Sequence, residues 1–161
     1  MIMDNPFVPG EERIKTVTMQ DLVPLFRERL LVGQTVRFSP RGTSMLPMLR
    51  HGVDMVELSA PPEQLQVYDL ILYLRDNGSY VLHRIVAAGD TYTCIGDNQY
   101  TFEPGIRRDQ VIALVTAFRR GDREFTVDHP WYRRYCRVWY RFYGLRRFGY
   151  RIVVWFRRHL S

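Results

Sequence analysis

The sequence predicts a mostly β protein, with a compact β domain between a short N-terminal helix and a basic, aromatic helical tail. Three observations indicate this order. Helically spaced apolar residues come first, seven short strand-like runs follow, and an arginine-rich segment then restarts as helix at a proline. The chain has 161 residues, about one domain, of which 46% are hydrophobic and 25% charged. These globular values exclude disordered, collagen-like and disulfide-scaffold proteins.

A helix is predicted on the N-terminal side of the β domain, within residues 1–35. Thr18 and Asp21 have the spacing of a capping box, with a carboxylate in the first helical turn. Apolar residues then recur at helical spacing, so the helix is predicted over 19–32. Residues 1–15 contain proline and glycine and are predicted to be a loose lead-in.

Residues 36–127 are predicted to form one compact, mostly antiparallel β domain. Asn77-Gly78 lies between two of its strand-like runs and is the strongest hairpin signal in the chain. Pro104-Gly105 is interpreted as one of the breaks between strands. The predicted strands cover 36–38, 54–58, 69–74, 80–87, 91–95, 111–119 and 124–127.

The tail, residues 128–161, is predicted to form one or two helices. Pro130 fits a first helical turn, after which aromatic and arginine side chains fall on different faces. Gly144 and Gly149 are predicted to interrupt the helical pattern, and a second helix is predicted over 150–160.

The charge of the tail allows three interpretations. Residues 130–161 hold nine arginines, no acid and 11 of the 22 aromatic residues, whereas residues 1–129 hold 14 basic and 17 acidic side chains. An interfacial helix on an anionic membrane is favoured. Packing of the aromatic face on the β domain comes second, and binding to nucleic acid or an acidic protein comes third. Nothing else in the chain supports RNA or DNA binding, so no nucleic acid is expected.

The sequence also bears on compartment and cofactors. No run approaches the roughly 18–20 apolar residues of a spanning helix, and no secretion signal is seen at the start. Cys94 and Cys136 have no neighbouring metal-ligand pattern and are interpreted as reduced thiols. We therefore expect a cytoplasmic protein, associated with a membrane at most peripherally, that uses no cofactor and no metal.

Three segments carry residues that could take part in catalysis, although each segment is ordinary when taken alone. A Gly-Thr-Ser turn exposes Ser44, strand alternation places His83 on an inward face, and Gly-Asp-Asn holds Asp97 six residues before Glu103. Taken singly, Ser44 is more often part of a plain turn and His83 a hydrogen-bonded interior histidine. Asp97 is more often part of a structural turn, and Glu103 a solvated loop acid. Together they supply a nucleophile, a base and an acid that could orient the base.

In this order and spacing, the segments GTSMLP, VLHRIV and GDNQ resemble the boxes of the signal peptidase I group. More broadly, they resemble the S24/S26 serine peptidases, which share a fold with LexA-type self-cleaving repressors. The resemblance covers about residues 36–118 and implies that Ser44 is the nucleophile and His83 the general base. Many members use a lysine base instead. Because the only lysine, Lys15, precedes Ser44, a Ser–Lys dyad at the usual place is excluded.

The resemblance also implies roles for the two acids. Asp97 matches the aspartate of the Gly-Asp-Asn box, and Glu103 matches a later acid that is usually aspartate. Either carboxylate could orient His83, and Glu103 is slightly favoured, with Asp97 in a structural or supporting role.

The resemblance extends to oxyanion and substrate binding. Gly42 stands where some members have a serine that helps to bind the oxyanion. The oxyanion would therefore rest on the Ser44 backbone N–H, with the Thr43 hydroxyl as helper. Met45 contributes to an apolar lip at the substrate side.

The function implied by the resemblance is a serine endopeptidase that removes a leader or signal segment from a precursor. The family preference would place small residues at the first and third positions before the cut. A His83 base of ordinary pKa should lose activity as pH falls through about 6–7. Two alternatives stay open: a non-catalytic leader-peptide-binding module on the same fold, and a peripheral membrane adaptor acting through the tail. A self-cleaving repressor is disfavoured, because only about 35 residues precede the β domain and such a repressor would use lysine.

Overall fold

The computed structural model describes residues 18–159. The predicted lead-in, residues 1–15, and Leu160 at the end of the predicted second tail helix lie outside this range. Helix α1 spans Met19–Leu31, as the sequence predicts to within one residue. The predicted capping box is present, since the Thr18 side chain accepts from the Asp21 backbone N–H and the Asp21 carboxylate accepts from the Thr18 backbone N–H.

Eight antiparallel strands form one sheet in the described part of the chain. Along the sheet the order is β1-β2-β7-β3-β4-β5-β6, and β8 pairs with β7. The strands are β1 (Val36–Phe38), β2 (Met55–Ser59), β3 (Leu70–Leu74), β4 (Tyr80–Ala88), β5 (Tyr92–Ile95), β6 (Glu103–Ile106), β7 (Val111–Arg120) and β8 (Arg123–Thr126). Seven of these strands match the seven predicted runs, and the mostly β fold class is confirmed.

Strand β6 corrects one sequence prediction. The sequence predicts a break at Pro104-Gly105, yet both residues lie within β6. β6 is the edge strand at the end of the sheet order. Proline is tolerated in an edge strand where no neighbouring strand needs its backbone N–H. Glu103 pairs in register with Cys94 of β5, so it is a strand residue and not a solvated loop acid.

The sheet buries apolar side chains in two clusters. The larger cluster includes Leu70 and Leu72 of β3 and packs under α1 through Phe26. The smaller cluster contains the alternate residues of the same strand, Ile71 and Tyr73. Successive side chains of a strand point to opposite faces. The alternation therefore sends His83 and Arg84, neighbours on β4, into different surroundings.

The tail forms two helices, α2 (Pro130–Arg141) and α3 (Tyr143–His159). Helix α2 begins at the predicted proline and buries Tyr132 and Cys136 against the sheet. Helix α3 begins seven residues before the predicted start at 150 and includes Gly144 and Gly149, so the two glycines do not interrupt it. A glycine costs only about 1 kcal/mol in a helix, which neighbouring contacts can offset. Within residues 18–159, no helix is both long and apolar enough to cross a membrane.

Candidate active site

Ser44 and His83 line one cavity of about 200 Å³ at the surface of the β domain. Ser44 comes from the turn that precedes Leu49, and His83 comes from the middle of β4. The other lining residues are Pro40, Arg41, Gly42, Met45, Leu49, Arg75, Tyr80, Val81, Leu82 and Gln99. The predicted nucleophile and base are therefore brought to the same cavity, along with Gly42 and Met45.

His83 is held by a carboxylate on one ring nitrogen. Its side chain is almost fully buried, and its Nδ1 lies 3.0 Å from Glu103 Oε1. The Tyr73 hydroxyl lies 3.3 Å from the same nitrogen. A carboxylate at Nδ1 favours the tautomer with the proton on that atom. That tautomer leaves the Nε2 lone pair free to accept a proton, as a general base requires.

Glu103 is itself fixed by two neighbours, Tyr73 and Arg75. Oε2 accepts hydrogen bonds from Tyr73 Oη at 2.9 Å and Arg75 Nε at 2.7 Å, and Arg75 Nη2 pairs with Oε1. Burial acts to raise the pKa of Glu103, but the hydrogen bonds from Arg75 and Tyr73 outweigh it and hold that pKa below its usual value. Glu103 is therefore charged at neutral pH and faces His83 as an anion.

The pKa of His83 is strongly displaced. Burial lowers it to about 4, because the charged imidazolium loses its hydration. The Glu103 charge opposes this shift, and the Arg75 guanidinium adds to it. His83 is therefore neutral over the whole physiological range and able to accept a proton there.

The loop that carries Ser44 is held in place by hydrogen bonds from the turn at 96–98. The Ser44 carbonyl accepts from the Asn98 backbone N–H at 2.7 Å, and the Thr43 carbonyl accepts from Asn98 Nδ2 at 3.2 Å. Gly96 packs so closely that a Cβ on it would meet the Ser44 carbonyl oxygen at 2.6 Å. Within the described residues, the Ser44 hydroxyl makes no hydrogen bond, so it remains available for activation.

The predicted oxyanion residues differ in availability. Gly42 has φ +110° and donates its backbone N–H to His51 Nδ1 at 2.7 Å, so that N–H is already engaged. The Ser44 backbone N–H has no acceptor among residues 18–159 and can serve an oxyanion. Thr43 is exposed beside it, and Met45 is buried in the cavity wall. His51, interpreted from the sequence only as a surface residue, supports the Gly42 turn.

Asp97 is placed elsewhere, and no hydrogen bond joins it to His83. Its carboxylate is fully buried and is held by Arg84, Tyr135 and Tyr140. The alternation along β4 explains the separation, because Arg84 points to the face opposite His83. Asp97 therefore acts within the core under α2 rather than on the imidazole.

Tyr73 and Arg75 belong to the site but were not singled out from the sequence. β3 pairs with β4 so that Ile71 lies opposite His83, and Tyr73 is the next residue along on the same face. Strand alternation combined with the Asn77-Gly78 hairpin could have identified Tyr73. Arg75 lies just beyond the strand, where alternation gives no direction, so no sequence signal pointed to it.

The described residues contain no group of three or more His, Cys, Asp or Glu side chains arranged to hold a metal ion. Cys94 and Cys136 are both buried free thiols. Burial raises the pKa of Cys94 to about 12, so this thiol stays protonated and unreactive.

Comparison with known proteins adds no relative to this picture. No family model matches the chain, and neither a curated protein nor a solved structure matches it.

Proposed function

We propose that this protein is a serine endopeptidase that removes a leader or signal segment from a precursor peptide. The observation that carries the proposal is the shared cavity of Ser44 and His83, with Glu103 bound at the far nitrogen of the imidazole. A serine hydroxyl is a poor nucleophile until a neighbouring base takes its proton. The ordered resemblance of the three segments to signal peptidase boxes supports the same reaction class.

The reaction follows the roles of these side chains. Ser44 Oγ attacks the scissile carbonyl while His83 Nε2 takes its proton, and Glu103 stabilises the imidazolium that forms. The Ser44 backbone N–H stabilises the negative oxygen of the tetrahedral intermediate. The intermediate collapses as His83 returns the proton to the leaving amine, which leaves an acyl ester on Ser44. Water, deprotonated by His83, then releases the acid product and restores the serine.

The cavity favours short side chains in the substrate. Its volume of about 200 Å³ is small, and Met45, Leu49 and Leu82 supply apolar wall. We therefore expect small residues next to the cut, as the family resemblance also implies. We place the reaction in the reducing cytoplasm, since both cysteines are free thiols.

The test is N-terminal profiling of the proteome in strains carrying wild type, Ser44→Ala or His83→Gln. Glutamine keeps most of the buried volume and the contact with Glu103 but cannot accept the serine proton. Ser79→Ala is the matched control, since this serine is exposed in the β3–β4 hairpin. New N-termini present in the wild type and the control but absent from both site variants would support the peptidase.

Identical profiles in all four strains, with every variant folded by circular dichroism, would overturn the peptidase. The leader-peptide-binding module would then be the better description. A direct binding measurement between a precursor peptide and the Ser44→Ala variant would test that alternative.

A further inference from the structure

Helix α3 carries an exposed stripe of large apolar side chains. Leu145, Phe148, Ile152 and Trp155 follow one another at steps of three, four and three residues, which keeps them on one face of a helix. They are 68%, 63%, 40% and 54% exposed. Large apolar side chains on a continuous exposed stripe mark an interaction surface more often than isolated ones do. We call Leu145, Phe148, Ile152 and Trp155 the α3 stripe.

The rest of the protein contacts the opposite side of α3. Tyr143 Oη donates to the Tyr100 carbonyl at 2.8 Å, and Arg146 Nη1 donates to the Asp97 carbonyl at 3.0 Å. The Tyr150 ring stacks on Tyr100 with centroids 4.4 Å apart. At roughly 100° per residue, these three anchors lie about half a turn from the α3 stripe. Leu145, Phe148 and Ile152 of the stripe therefore point away from the β domain.

Two arginines lie beside the α3 stripe on the surface of the helix. Arg147 and Arg151 are exposed, lie beside the stripe on the helix surface, and form no ion pair within residues 18–159. Residues 130–161 contain nine arginines and no acidic residue. A second copy of so basic a helix would repel the first, so pairing of two α3 helices does not account for the stripe.

We propose that α3 lies in the headgroup region of an anionic lipid bilayer, with the α3 stripe inserted and its arginines on the lipid phosphates. An interfacial helix combines one apolar face with a basic polar face, and each basic residue near an anionic surface strengthens binding. A nucleic acid would use the arginines but would leave Leu145 and Ile152 exposed to water. The inference does not depend on the proposed cleavage reaction.

The test is flotation of the full-length protein with vesicles of phosphatidylglycerol and phosphatidylcholine, compared with phosphatidylcholine alone. We expect binding to the anionic vesicles only, weakening as salt is raised. The variant Leu145→Glu/Phe148→Glu should weaken binding about tenfold or more, because it removes two inserted side chains and adds two charges. Its thermal midpoint should match the wild type, because both positions are exposed.

The matched control is Leu31→Glu/Val53→Glu, which makes the same change of charge at two exposed apolar residues outside the tail. This control should bind nearly as well as the wild type. Equal weakening in both double variants would mean that net charge alone drives binding, and would overturn insertion of the stripe. Absence of wild-type binding to anionic vesicles, with or without binding to single-stranded RNA, would overturn the proposal entirely. Should the stripe variant misfold, Arg147→Glu/Arg151→Glu tests the same surface, and unchanged binding would count against it.

Discussion

Arg84 and Asp97 form a two-pronged ion pair that is sealed from solvent. Arg84 Nε lies 3.0 Å from Oδ1 and Nη2 lies 3.0 Å from Oδ2, and neither side chain has exposed surface. The pair joins two parts of the chain, because Arg84 also donates to Tyr132 of α2 while Asp97 accepts from Tyr140. It therefore fixes α2 against the sheet and fixes the 96–98 turn on which the Ser44 loop rests.

The first prediction concerns the stability contributed by this pair. Asp97→Asn should lower the free energy of unfolding by about 3–5 kcal/mol, because it leaves a buried guanidinium without its counter-charge. Urea denaturation monitored by circular dichroism measures the change. Asp109→Asn is the control, since its pair with Arg107 is exposed and should contribute little. Equal stability of the two variants would show that Asp97 is not a structural anchor.

The second prediction separates Glu103 from Asp97 by chemistry. Glu103→Gln should lower kcat roughly 10²- to 10⁴-fold, because an amide at Nδ1 neither fixes the required tautomer nor stabilises the imidazolium. Its unfolding free energy should fall less than that of Asp97→Asn, because Glu103 is only partly buried. Cleavage kinetics on a peptide found by the N-terminal profiling give the answer. Near-normal kcat in Glu103→Gln would remove Glu103 from the site.

The third prediction is the pH dependence, and it revises the expectation drawn from the sequence. An ordinary imidazole would lose activity between pH 6 and 7, but burial lowers the pKa of His83 to about 4. The base must be neutral to accept a proton, so kcat/KM should stay flat from neutral pH down to about 5 and fall through about 4. An acid limb near pH 6.5 would contradict the buried setting of His83.

Folding must be followed in the same pH series. The unfolded chain binds a proton at His83 near pH 6.5 whereas the folded chain resists it until about 4. Stability contributed by the neutral, buried ring is therefore complete above about 6.5 and is lost as pH falls toward 4. Circular dichroism at each pH identifies the range in which the rate reports on folded protein.

The fourth prediction assigns part of this pKa shift to Arg75. Its guanidinium lowers the pKa of His83, while Glu103 raises it. Arg75→Met should therefore move the acid limb of kcat/KM to higher pH. The control is Arg107→Met, an exposed arginine outside the cavity, which should leave the limb in place. A limb that moves equally in both variants, or moves in neither, would exclude a specific effect of Arg75.

Local patterns were enough to predict most of the fold. Turn residues bounded seven of the eight strands, and the Thr18 capping box placed α1 to within one residue. β6 was missed because Pro104-Gly105 is a local break signal, whereas the ladder with β5 is a long-range pairing that local propensity does not show. The predicted range of α3 is too short because long-range contacts do not show in local propensity. Contacts made by Tyr143 and Arg146 hold the glycine-containing start of this helix.

The candidate site was only partly predictable. The residue types and order of Ser44 and His83 indicated a shared site, and both line one cavity. The choice between Asp97 and Glu103 could not be made from spacing, because it depends on which face of β4 each acid meets. His83 contacts Glu103 on one face of β4, and the adjacent Arg84 contacts Asp97 on the other face. The register of β5 and β6 determines which acid lies on which face.

The fifth prediction tests whether the 96–98 turn positions Ser44. Gly96→Ala places a Cβ at 2.6 Å from the Ser44 carbonyl oxygen and 3.0 Å from Ser44 Cβ, so the serine loop must shift. A displacement of about 1 Å at a nucleophile can cost roughly 10²-fold in rate, and we expect a loss of that order in kcat. Gly89→Ala is the control, because its nearest neighbour would be 4.0 Å away and activity should be unchanged. A merely destabilising effect would be relieved at low temperature, whereas a displaced nucleophile would remain slow in fully folded protein. Wild-type kcat in folded Gly96→Ala would mean that the turn does not set the position of Ser44.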